Sequence, residues 1–161
     1  MEVRKPVRVT HTYTQSIDGT AAEVLPLLCP VREVEWASGW EPGLVLSESG
    51  VAEQDCIFTT PDPAAGPGAE AIWTVLAQDR DAGRVEMLKV TAGFMVVRLT
   101  VGLTPADHGC HAEVTYAYTA LGPAGESFVR GWTPEAYTAF MREWEAELNA
   151  YLRRARAVQP A

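Results

Sequence analysis

No apolar run in this 161-residue sequence approaches the ~18 residues that a membrane span requires. Basic charge is scarce too: 13 Lys+Arg stand against 21 Asp+Glu, a formal net charge of -8. That balance argues against a nucleic-acid partner, because such affinity comes mainly from Lys and Arg facing phosphates. Cysteines number three, Cys29, Cys56 and Cys110, widely separated. An odd, scattered set gives no disulfide framework and reads as reduced thiols acting as small core residues. The opening Met1-Glu2-Val3-Arg4-Lys5-Pro6 lacks the apolar stretch of a secretory signal, so the expected location is the cytoplasm. Motifs of metal, dinucleotide and acyl-transfer chemistry are missing: there is no HExxH, CxxC, GxGxxG, Walker loop or GxSxG elbow. Gly122-Pro123-Ala124-Gly125-Glu126-Ser127 lacks the phosphate-loop lysine. His108-Gly109-Cys110-His111 falls where a hairpin turn is needed, and residues 110 and 111 of a strand point to opposite faces. Neither metal nor cofactor is expected.

What is there is apolar bulk in regular patterns. Apolar residues make up 47% of the chain, and its length suits a single domain over residues 1–161. Such a chain can bury roughly 70% of its unfolded surface without a disulfide or metal. Five Trp is more than one modest core needs. Alternation predicts a first strand over 7–17, with Val7, Val9, His11 and Tyr13 on one face and Arg8, Thr10, Thr12 and Thr14 on the other. Asp18-Gly19 turns the chain, and Thr20-Ala21-Ala22-Glu23 spells a capping box that opens a short helix. Pro26 sits awkwardly inside that helix and Pro30 limits it. A second short helix is predicted over 31–36.

Strand patterns then follow over 44–47, 56–60, 72–78, 84–91, 94–104 and 110–120, divided by Gly-, Pro- and Asp-rich turns. Met95, Val97, Leu99, Val101 and Leu103 form one apolar face, and Val114, Tyr116 and Tyr118 another. In the 72–78 strand, Ile72, Thr74 and Leu76 share one face and Trp73 and Val75 the other, and the pattern leaves open which of them points inward. The chain closes on a long helix that Thr133 caps, with Pro134 at its first position. Tyr137, Phe140, Met141, Trp144, Leu148, Tyr151 and Leu152 make its apolar stripe. Glu143, Glu145 and Glu147 read as its exposed face, and Arg98 as a solvated strand residue.

One strand, two short helices, six strands and a long C-terminal helix is the element order of the helix-grip fold. With the Thr20-capped helix, Val114-Thr115-Tyr116-Ala117-Tyr118, Met141-Arg142-Glu143-Trp144-Glu145 and Leu148-Asn149-Ala150-Tyr151-Leu152, the chain resembles the START-like/polyketide cyclase superfamily (SRPBCC) over nearly its whole length. Cys29-Pro30-Val31-Arg32-Glu33-Val34-Glu35-Trp36 with Gly39-Trp40 is similar to one bacterial branch of it. The resemblance implies an α+β fold: a curved seven-stranded antiparallel sheet wrapped around the C-terminal helix, with two short helices after the first strand and a cavity between. It also implies an apolar small-molecule ligand of lipid, aromatic or polyketide type. It carries over no catalytic residue, because members of this fold share no single activity.

Several side chains are candidates for the cavity wall: His11, Tyr13, Trp36, Trp40, Phe58, Trp73, Met95, Leu99, Tyr116, Tyr118, Tyr137, Met141 and Trp144. Arg32 and Glu33 are candidates for polar contact at its mouth. Each also has a structural reading, since inward Tyr and Trp are ordinary core residues and a buried His usually has a structural partner. The leading expectation is a binder of a small hydrophobic ligand. The alternatives are a polyketide cyclase or dehydratase using His11 and Tyr116 for proton transfer and carbonyl polarisation, and a protein-interaction module without a ligand. The sequence leaves oligomeric state and ligand identity open.

Overall fold

Strand β1 (Arg8–Ile17) sends Arg8, Thr10, Thr12, Thr14 and Ser16 to solvent and turns His11, Tyr13, Gln15 and Ile17 inward. This is the alternation of a sheet with one face buried. The computed structural model describes residues 1–158. Six more strands follow: β2 (Leu44–Leu46), β3 (Ile57–Pro61), β4 (Glu70–Asp79), β5 (Arg84–Thr91), β6 (Met95–Pro105) and β7 (Cys110–Ala120). They form one antiparallel sheet in the order β1-β7-β6-β5-β4-β3-β2. Chain neighbours from β2 to β7 pair as hairpins, whereas β1 pairs with the last strand, so β1 and β2 are the edges. A register shift between Val75 and Ala77 marks a bulge in β4, which bends the sheet.

Between β1 and β2 the chain forms two short helices, α1 (Ala21–Val24) and α2 (Pro30–Glu33), separated by a 3-10 turn at Leu25–Leu27. Thr20 closes the capping box with Glu23 from both sides. Pro26 is accommodated because the helix tightens to a 3-10 turn there and places it in the first turn. Pro30 opens α2, where its missing N–H costs nothing. The second helix therefore starts and ends earlier than the 31–36 pattern predicts, and the 34–40 segment continues as turns.

Two helices close the chain, α3 (Pro123–Gly131) and α4 (Pro134–Val158). Helix α3 is absent from the sequence reading, which weighed its first residues only as a phosphate loop. Its signals are Pro123 at the first turn and the Glu126–Arg130 pair at i, i+4. It packs Val129 and Phe128 against Phe94 and Tyr118 in a satellite core. Helix α4 buries Tyr137, Met141, Leu148, Asn149 and Leu152. Backbone-directed bonds fix it to β1 and β7. Gln15 Nε2 donates to the Met141 carbonyl at 2.9 Å, Asn149 Nδ2 to the Ser16 carbonyl at 2.8 Å, and the Tyr137 hydroxyl to the Val114 carbonyl at 2.8 Å. Each such bond contributes about 1 kcal/mol net, and more is lost if one buried partner is removed. No helix among the described residues is long and apolar enough to cross a membrane.

Candidate functional site

Cross-strand register gathers the inward side chains into rungs. One rung runs Val75, Met87, Leu99, Tyr116, His11 across β4, β5, β6, β7 and β1. The next runs Phe58, Trp73, Lys89, Val97, Tyr118, Val9. Where α4 and the 33–40 segment face these rungs, they leave a pocket of about 220 Å³. Its floor is Phe58, Trp73, Met87, Leu99 and Tyr116, its roof Phe140, Glu143, Trp144 and Glu147, and its side Glu33 and residues 37–40. Ser38, Gly39, Phe140 and Glu143 are exposed and mark the mouth.

The indoles are tethered through their N–H groups. Trp40 Nε1 donates to the Pro30 carbonyl at 2.8 Å and Trp73 Nε1 to Thr60 Oγ1 at 3.0 Å. Phe58 stacks on Trp73 at 5.4 Å, and Trp40 meets both edge-on at 6.1 and 6.2 Å. Such aromatic pairs add about 0.5–1.5 kcal/mol each beyond area burial. The phase of the 72–78 segment is settled: Trp73 and Val75 point inward and Ile72 and Leu76 to solvent.

Two polar side chains stand in this apolar wall. Glu33 lines the pocket at the end of α2, partly accessible yet crowded by protein. Desolvation raises its carboxyl from an ordinary 4.5 to about 8. The Tyr116 phenol is pushed well above its usual value, first by burial and then by Tyr118, Glu33 and Tyr137 nearby. At neutral pH both are hydrogen-bond donors inside a largely apolar space. At the rim, Glu147 accepts from the Ser38 N–H at 2.9 Å and fixes the 37–40 turn to α4.

Of the residues singled out from sequence, Trp40, Phe58, Trp73, Leu99, Tyr116, Trp144 and Glu33 meet at this pocket. The others lie elsewhere. Trp36 is buried beneath it, donating to the Leu27 carbonyl at 3.0 Å with its ring against Trp144 at 5.5 Å. Arg32 pairs with Glu35 and reaches Tyr151 at 3.4 Å on the protein's exterior. His11 donates from Nε2 to the Trp132 carbonyl at 2.8 Å and stacks on Tyr137 at 5.4 Å. Tyr13 reaches Glu145 at 3.3 Å. Tyr137 and Met141 are filled core. Met95 and Tyr118 belong to the satellite core, two rungs and one rung respectively from the Leu99–Tyr116 rung toward α3.

Met87, Phe140, Glu143 and Glu147 were not among the cavity-wall candidates, Phe140 being read as helix stripe and Glu143 and Glu147 as exposed face. Glu143 and Glu147 are not simply a solvated face: they border the pocket, while Glu145 accepts from the Ser16 N–H at 3.1 Å. Their signal was present, because Phe140, Glu143, Trp144 and Glu147 follow one helix face at i, i+3, i+4, i+7. Arg98 is exposed as expected but pairs with Glu86. A larger, shallower trough between β2 and residues 47–56 is less suited to chemistry. Its Glu53 carboxylate is taken by Ser49 and the Glu48 N–H, which hold it down to about 2.

Neither a protein-family model nor a curated protein matches the chain. Solved structures do. Norcoclaurine synthase from Thalictrum flavum, in complex with dopamine and hydroxybenzaldehyde, is 12% identical with a TM-score of 0.65, covering 100% of this chain and 97% of that one. A Mesorhizobium loti protein is 16% identical with a TM-score of 0.62, over 91% and 98%. A Rhodobacter sphaeroides protein is 18% identical with a TM-score of 0.59, over 95% of each. Likeness at these identities establishes the fold.

Proposed function

From the helix-grip fold of the START/Bet v1-like superfamily that this chain adopts, we propose that it binds a small apolar ligand with aromatic character in the pocket between sheet and α4. The observation that carries this reading is the pocket itself: tethered aromatic walls around about 220 Å³, with Glu33 and Tyr116 as the few polar groups that would orient a ligand. Apolar hollows with a few convergent polar groups are the usual form of a small-molecule site. The volume lies below the roughly 300 Å³ at which drug-sized pockets begin, so the ligand is small. The solved norcoclaurine synthase, which holds two small aromatic molecules, supports the same reading. Three buried, unpaired thiols fit a reducing compartment, and we place the protein in the cytoplasm.

Native mass spectrometry of protein purified from its own host tests this. The expected result is a retained small-molecule mass that Leu99→Trp, which fills the floor, expels. No retained mass, or one indifferent to the substitution, overturns the proposal.

One observation favours a second reading, proton transfer in the same pocket. A carboxyl raised to about 8 can give and take a proton near neutral pH. The pair for such chemistry is Glu33 and Tyr116 rather than His11 and Tyr116, because His11 is committed to the Trp132 carbonyl. Turnover of a retained ligand, lost in Glu33→Gln, is its test.

A further inference from the structure

We infer that the ligand of this pocket is an amine: an apolar body lying among Trp40, Trp73 and Trp144, with a protonated nitrogen paired to the Glu33 carboxylate. This rests on the binding reading above and gives it a charge sign.

The wall has a one-sided inventory. Apart from the Tyr116 phenol, its ionising side chains are all carboxyls, Glu33 inside and Glu143 and Glu147 at the rim. The nearby cations are committed elsewhere. Arg32 is paired with Glu35, and Lys89 with Asp62 at 2.9 Å while lying over the Trp73 ring at 5.6 Å. An anionic ligand would have to pass the two rim carboxylates, which repel it, and could be met by Glu33 only in its neutral form. A purely apolar ligand would seal Glu33 with no partner, which is costly for a polar group. A neutral acceptor could take the Glu33 proton in a hydrogen bond, but it would gain nothing from the rim carboxylates or the π faces. A cation gains from all three. Lys89 over Trp73 shows the same cation–π chemistry at the next position on the sheet.

The step balances in protons. Free Glu33 is a neutral acid at pH 7, and seating an ammonium beside it sends its proton to solvent as the carboxylate forms. The groups facing Glu33 are Tyr116 from β7 and Glu143 and Glu147 from α4, with Arg32 and Glu35 paired to each other on its own segment. Because burial raises the Glu33 carboxyl to about 8, most of a proton leaves per amine bound at pH 7, and affinity rises with pH, by up to about tenfold per unit, until that carboxyl ionises on its own.

Three naphthalene probes of one shape test the charge: 1-naphthylmethylamine, 1-naphthalenemethanol and 1-naphthoate, titrated by calorimetry at pH 8 and, in buffers of different ionisation enthalpy, at pH 7. The expected result is amine over alcohol by about tenfold or more, little binding of the acid, and net proton release with the amine alone at pH 7. Glu33→Gln, nearly isosteric, should erase the amine's preference over the alcohol together with the proton release. An alcohol that binds as well as the amine, or a preference that survives Glu33→Gln, overturns the amine inference and leaves the binding reading standing. Failure of all three probes overturns the binding reading and this inference with it.

Discussion

His11 on β1 donates a 2.8 Å hydrogen bond from Nε2 to the carbonyl of Trp132, the residue between α3 and α4. Together with its stack on Tyr137, this joins the sheet edge to the turn that launches the long helix. The imidazole therefore works as a clasp outside the pocket wall. His11→Ala is expected to cost about 1–2 kcal/mol, the loss of one half-buried hydrogen bond with a carbonyl left unpaired. The shift in urea midpoint measures this. Affinity of the pocket for 1-naphthalenemethanol should stay within about twofold. Ligand affinity lost at unchanged stability would put His11 on the wall after all.

Glu33 sets a pH dependence of stability with a definite sign. Its folded value, about 8, lies above its ordinary 4.5, because burial disfavours the charged form. The folded state thus holds a proton that the unfolded state loses between those values. The contribution is fully present below pH 4.5 and is lost as pH rises through 8, with a slope of at most about 1.4 kcal/mol per unit. Glu23 and Glu35, whose carboxyls are held below 4.5 by Thr20 and by Arg32 respectively, act in the opposite sense and at more acid pH. Denaturation midpoints of the parent protein should fall from pH 5 to pH 8, while those of Glu33→Gln stay nearly flat over the same window. Parallel profiles for the two proteins would contradict the account.

The strands and the C-terminal helix were legible because their signal is local. A period of two with inward Val, Leu and Met reads directly off β6 and β7, and the capping box at Thr20 reads off four residues. Helix α3 was illegible for the opposite reason. Its nine residues include Gly125 and Gly131 and carry a short apolar face, and what holds them is Phe94 and Tyr118 from distant strands. The pocket was legible in part. Phase alone places Leu99 and Tyr116 inward, but whether an inward residue meets empty space or another side chain depends on the rung beside it and on the helix above. Tyr118 and Tyr116 share a face and stack at 5.6 Å, yet only Tyr116 meets the pocket, because Phe128 and Trp132 cover its neighbour. Glu33 was legible as a polar contact at the cavity mouth but not as a buried carboxyl, since Arg32 and Glu35 close by in sequence read as charges on a solvated helix.

Gly125 locks α3 to the sheet by having no side chain. A Cβ there would lie 2.0 Å from the Phe94 carbonyl oxygen, a backbone atom that cannot swing aside. Gly125→Ala must push α3 away from the β5–β6 turn and loosen the Phe94–Phe128 contact. The expected loss is more than about 3 kcal/mol, at the upper end for overpacking a fitted interface. Gly131→Ala, with open space around its Cβ position, serves as the matched control and should change stability little or raise it. Thermal unfolding of the two variants side by side decides between this view and one in which α3 is loosely held.

The Lys89–Asp62 pair has the opposite character from the protein's surface ion pairs. Their side chains are 18% and 6% exposed, the separation is 2.9 Å, and Thr91 Oγ1 donates to the same carboxylate oxygen at 2.6 Å. Arg130–Glu126 and Arg153–Asp18 are far more exposed and contribute at most about 1 kcal/mol each. Removing one partner of a buried pair strands the other charge, which typically costs about 3–5 kcal/mol. Lys89→Met should therefore destabilise strongly, whereas the Lys89→Met/Asp62→Asn double variant, with no charge left to strand, should recover much of the loss. A double-mutant cycle by urea denaturation measures the coupling. Because the Lys89 ammonium lies 5.6 Å from the Trp73 ring, the single variant should also shift Trp73 emission. A cost for Lys89→Met below about 1 kcal/mol would show that water, not Lys89, neutralises Asp62.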